Sequence, residues 1–109
     1  MRKADLFVEL VGTYRKHGWE LRMALLQPET RMELVDEPGL GTVPIKEARI
    51  DALWFARSSH HNREAWELRL LAETQYALFE TFEMDETEEQ RDEARQEMEA
   101  RLRDYVLRE

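Results

Sequence analysis

Between Ala48 and Leu71 the chain alternates apolar and other residues in two runs, folded around Ser58-Ser59-His60-His61-Asn62. Ala48, Ile50, Ala52, Trp54 and Ala56 share one side going out, and Trp66, Leu68 and Leu70 share it on the return. A period of two is what a sheet with a buried face demands, because successive strand side chains point to opposite faces. The stretch therefore predicts two antiparallel strands, 48–57 and 64–72. Centring the hairpin on His60 sets Trp54 opposite Trp66, Asp51 opposite Arg69 and Leu53 opposite Glu67. The second face mixes Asp51, Glu67 and Arg69 with Leu53, Phe55, Ala65 and Leu71, so it too needs a cover: a helix, residues 74–83 or another subunit.

Elsewhere the periods differ. Leu6, Phe7, Leu10, Val11 and Tyr14 recur at helical steps and predict a helix over 4–17, closed by Gly18. Gly12, costly inside a helix, suggests a close backbone contact. Trp19, Leu21, Met23 and Leu25 alternate as a strand. Residues 28–36 fit a helix begun at Pro28 and a strand equally well. Residues 37–46 hold two prolines and two glycines and read as a loop; Gly39-Leu40-Gly41 is too short a motif for a phosphate cradle. Residues 74–83 are ambiguous, with a slight helical preference after Thr74, where Tyr76, Phe79 and Phe82 step by three. Thr87 and Gln90 form a capping-box pattern opening a charged final helix with a narrow seam of Ala94, Met98, Leu102, Tyr105 and Val106. The expected architecture is one α+β domain spanning 1–109. It has an antiparallel sheet of three to four strands, an N-terminal amphipathic helix and a long charged C-terminal helix.

Charge narrows the function classes. Sixteen basic residues against 24 acidic ones leave −8, and residues 85–109 alone carry ten acids and five arginines. Such a chain lacks the electrostatic attraction behind non-specific nucleic-acid binding, and an anionic membrane surface is disfavoured for the same reason. The absence of cysteine excludes thiolate nucleophiles and disulfides. Asp5 and Glu9 interrupt any signal-like apolar run after Met1-Arg2-Lys3, and no stretch approaches ~20 apolar residues. A cytoplasmic location without a membrane span is expected.

The chemistry-bearing residues are few. Asp51 and Glu67, on one face about 7–8 Å apart on the diagonal, have the spacing to share a divalent metal. Arg49-Ile50-Asp51-Ala52-Leu53-Trp54-Phe55 followed by Glu67-Leu68-Arg69 resembles the restriction-endonuclease-like nuclease core. There an Asp on one strand accompanies Glu-x-Lys on the next. The resemblance covers only this stretch and implies metal-dependent phosphodiester hydrolysis, with Asp51 and Glu67 as ligands. Arg69 stands where that core has lysine, and a guanidinium does not accept a proton from water. The competing explanation is a cross-strand charge pair of Asp51 with Arg69, contributing ~0.2–1 kcal/mol. His60-His61 reads as an exposed tip, since adjacent residues on extended chain point apart. Ser58 and Ser59 lack the Gly-x-Ser-x-Gly setting of a nucleophile. Trp19, Trp54 and Trp66 are core residues or the walls of a small-molecule pocket between sheet and helix. The leading expectation is a non-enzymatic protein-interaction or homo-oligomerisation module without a cofactor, such as a homodimer, whose acidic C-terminal helix contacts a partner. A metal-dependent phosphodiesterase and a small-molecule binder are the alternatives.

Overall fold

The computed structural model describes residues 2–108. In chain order they form α1 (Lys3–Lys16), β1 (Glu20–Leu26), α2 (Pro28–Glu33), β2 (Ile45–Glu47), β3 (Ala52–Ser58), β4 (Glu64–Leu70), β5 (Ala77–Phe82) and α3 (Glu88–Leu107). The strands make one sheet in the order β2-β1-β3-β4-β5. The α+β class holds, but the sheet has five strands rather than three or four, and it is mixed: β1 and β2 run parallel, and the other neighbours are antiparallel.

Three stretches that the sequence left open or read differently are settled by specific contacts. Residues 28–36 resolve to a short helix with Pro28 in its first turn, where a missing N–H costs nothing. Within the 37–46 loop, Ile45–Glu47 pairs with β1, and the Ala24 N–H to Pro44 oxygen bond (3.0 Å) and the Ala48 N–H to Leu26 oxygen bond (3.0 Å) continue that ladder. Residues 77–82 are strand, against the helical preference. The exposed side of β4 needs backbone partners, and β5 supplies them. The chain reverses at Leu71–Thr74 without Gly or Pro, which is why no break shows in the sequence.

The hairpin register also differs. Ser59 donates its N–H to Arg63 oxygen (2.8 Å), closing a three-residue tip centred on His61 rather than His60. His61 (φ 56°) and Asn62 (φ 61°) are both left-handed, a conformation that asparagine tolerates better than most residues. Trp54 therefore pairs with Leu68, Leu53 with Arg69 and Phe55 with Glu67. The slip is two positions, so every side chain keeps its assigned face.

Each face of the sheet has its own core. Against one, α1 and the buried Leu34 after α2 pack Leu6, Phe7, Leu10 and Val11 onto Leu53, Phe55, Ala65 and Leu71, so a helix of the same chain covers the second apolar band. Against the other, α3 packs Met98 and Leu102 onto Trp54, Leu68 and Phe82. The central part of the α3 seam is thus consumed within the chain. The capping box forms as expected, Thr87 accepting from Gln90 N–H (3.1 Å) and Gln90 from Thr87 N–H (2.9 Å). Gly18 takes φ +84° at the end of α1, whereas Gly12 faces open space and serves no close contact.

Candidate functional site

Asp51 does not face Arg69. It precedes β3, is 4% exposed, and its carboxylate is surrounded by donors. Gln27 gives its backbone N–H (2.9 Å) and its side-chain amide (3.2 Å), Thr30 its hydroxyl (2.7 Å), and Lys3 Nζ lies 3.4 Å away. Lys3 also donates to Leu71 backbone oxygen, and Leu71 N–H returns to the Asp51 backbone oxygen (2.9 Å). The Asp51 carboxylate thereby ties the start of α1 and the first turn of α2 to the entry of β3, and the Asp51 backbone oxygen adds the exit of β4. The bonds to the carboxylate fill most of its acceptor capacity.

Glu67 is engaged elsewhere, accepting from the Tyr14 hydroxyl across the α1–sheet contact. Burial, then the bond to Glu67 and its negative charge, push the Tyr14 phenol well above its usual range, with Arg69 opposing in part. Arg69 donates from Nε to Leu70 oxygen (3.1 Å). The three residues share the α1 side of the fold, yet Asp51 and Glu67 serve separate polar contacts. Among the described residues no group of three or more His, Asp or Glu is arranged to hold a metal ion.

Tyr14 gives a pH test with a definite sign. Its folded-state proton is held more tightly than at the ordinary value of 10.0, so its contribution is complete below that pH and lost above it, where the unfolded chain ionises first. Urea midpoints at pH 9 and pH 11 are expected to separate more for the native chain than for Tyr14→Phe. At neutral pH the variant loses about 1 kcal/mol, the size of one part-buried hydrogen bond.

The tryptophans do not line a common pocket. Trp54 and Trp66 meet on the α3 face, edge to face at 5.8 Å and 71°, although they are diagonal rather than directly opposed. Trp54 Nε1 donates to Glu99 (2.9 Å), which also binds Lys46 (3.2 Å). Trp19 lies on the α1 face with Tyr14 (6.1 Å) and Phe79 (6.4 Å) edge to face against it. His60 and His61 are exposed at the tip, as expected.

The feature missed in the sequence is the outer edge of β5. Leu70 N–H bonds Tyr76 oxygen (3.0 Å), so by alternation Leu78, Glu80 and Phe82 direct their backbone groups at β4. Ala77, Phe79 and Thr81 turn theirs away from the sheet. Consistent with this, Thr81 N–H is met only by its neighbour, the Glu80 carboxylate (3.0 Å). Phe79 is 58% exposed beside this edge, which carries one charged residue and no proline. The signal lay in Leu78-Glu80-Phe82 alternating against Phe79-Thr81, but the three-residue step of the aromatics masked it.

No protein-family model, curated protein or solved structure matches the chain. Among the described residues no helix is long and apolar enough to cross a membrane.

Proposed function

We propose that the chain is a non-enzymatic interaction module that pairs with a second copy of itself along β5. The observation that carries this reading is the β5 edge: three outward N–H and C=O pairs in a six-residue strand, flanked by a large exposed aromatic. Bare edges of this kind template pairing with another strand, and folds that avoid it shorten, charge or interrupt the edge. The opposite edge, β2, shows that protection, with three residues, Lys46, Glu47 and the preceding Pro44. On β5 the only such device is Glu80.

A two-fold axis at Phe79 suits the sequence. It sets Phe79 against Phe79 of the second copy, Ala77 against Thr81 and Leu78 against Glu80. A two-fold at Glu80 would oppose two like charges and is disfavoured. Forming the pair requires the Glu80 carboxylate to leave Thr81 N–H, a small rotation at an exposed side chain.

Sedimentation velocity from low to high micromolar concentration is the test. The native chain is expected to shift from monomer to dimer. Phe79→Asp and Thr81→Pro, the second of which removes an outward donor without touching the β4 ladder, are expected to stay monomeric with an unchanged circular dichroism spectrum. Met32→Asp, at an exposed position on α2, is expected to dimerise normally. A native chain that remains monomeric, or edge variants that still dimerise, would rule the reading out.

A further inference from the structure

Leu78, Glu80 and Phe82 spend their backbone groups on β4, so Ala77, Phe79 and Thr81 hold theirs on the free side of β5. A second copy paired about Phe79 would be bound by these outward groups alone. Phe79 meets Phe79 at the centre, and at each end Thr81 N–H meets the Ala77 oxygen of the other copy. In the single chain one of these groups is already taken. Thr81 N–H donates to Glu80 Oε1 at 3.0 Å.

The position of Glu80 makes this contact a competitor of pairing. Glu80 lies opposite Trp66, which puts it on the α3 side of β5, and it is exposed. A strand side chain stands roughly perpendicular to the sheet, so the carboxylate reaches the next N–H only by folding across the edge. There it occupies the donor and sets a negative charge where the Ala77 oxygen of a second copy would arrive. The paired state offers it nothing in return. Released, it lies beside Leu78 of the other copy, a half-buried apolar side chain in the single chain with no donor to give. The two Glu80 carboxylates then stand diagonally across the axis on the same face, ~7–8 Å apart, and repel.

We infer that, in a chain that pairs along β5 as proposed above, Glu80 is an autoinhibitory cap. Its carboxylate competes with the Ala77 oxygen of the second copy for Thr81 N–H and sets the concentration at which pairing begins. Pairing is thereby kept weak and reversible, and removal of the Glu80 carboxylate strengthens it.

The cap and the pairing are tested apart. In dilute, monomeric Phe79→Asp, adding Glu80→Ala is expected to cost the Thr81 amide protection from hydrogen exchange and to leave the Leu78 amide unchanged. In the otherwise native chain, sedimentation velocity is expected to give a dimer dissociation constant about tenfold lower for Glu80→Ala, the sum of one modest hydrogen bond released in each copy. Glu80→Gln keeps an amide oxygen but no charge and is expected to fall between that variant and the native chain. Asp36→Asn removes a negative charge just after α2, which packs beside α1 and β1, with β3 and β4 between β1 and β5. It is expected to pair as the native chain does, which separates the cap from net charge. Circular dichroism verifies that each variant folds. A native dimer that Glu80→Ala does not tighten, an equal gain in Asp36→Asn, or unchanged Thr81 exchange would overturn the cap and leave pairing along β5 standing. No dimer in the native chain or in Glu80→Ala would remove the pairing, and the role of the cap with it.

Discussion

Asp51→Ala is expected to remove about 3–5 kcal/mol of folding stability, the range for breaking a buried, hydrogen-bonded charge. The carboxylate is 4% exposed and takes three donated hydrogen bonds plus the Lys3 ion pair. Alanine strands the Thr30 hydroxyl, itself 5% exposed, and the Gln27 backbone N–H, each left without an acceptor at ~1–3 kcal/mol. Lys3 suffers less, because its side chain is 33% exposed and water can take it. Asp51→Asn keeps one carbonyl acceptor and is expected to lose less than Asp51→Ala. Urea unfolding followed by tryptophan fluorescence measures both. A loss under ~1 kcal/mol would mean that the donors find other partners and that the junction is not held by this residue. Added manganese is expected to leave the native midpoint unchanged; a rise would restore the metal-site explanation.

Trp54→Ala is expected to cost a comparable ~3–5 kcal/mol by a different route. The indole is fully buried at the centre of the α3 face, in edge-to-face contact with Trp66, and its Nε1 is the donor to Glu99. Truncation opens a cavity lined by Leu68, Met98 and Leu102 and leaves Glu99 to Lys46 alone. A domain of this size has ~5–15 kcal/mol in total, so the variant stands near its unfolding threshold and the measurement belongs at low temperature. Trp54→Phe keeps most of the apolar volume but not the hydrogen bond, and is expected to lose less. If both variants lost the same amount, the Glu99 bond rather than packing would set the cost.

Much of the architecture was legible because burial imposes a period. The alternation through Ala52, Trp54 and Ala56 assigned the correct face to each residue of β3 and β4 even though the register was two positions off. In β1 the expected alternation of Trp19, Leu21, Met23 and Leu25 is broken by the bulge between Leu21 and Met23, which leaves Trp19 and Leu21 on the α1 face and Met23 and Leu25 on the α3 face. Register depends on tip geometry, and three polar residues in a turn do not announce which of them is central. Thr87 and Gln90 located the start of α3 because a capping box is a local bond between side chain and backbone. The strands that escaped, β2 and β5, are the edges. An edge strand is defined by a partner far along the chain, and Ile45–Glu47 is too short to show a period at all. The polar residues failed for the same reason. Asp51 and Glu67 were read against each other, whereas their partners, Thr30 and Tyr14, sit on helices 21 and 53 residues away in sequence.

Amide hydrogen exchange along β5, at dilute and at concentrated protein, separates the two sides of that strand. The Leu78 and Glu80 amides face β4 and are expected to be protected at both concentrations. The Phe79 and Thr81 amides are expected to exchange quickly when dilute and slowly when concentrated. Fast exchange of Phe79 and Thr81 at both concentrations would contradict pairing of two copies at this edge.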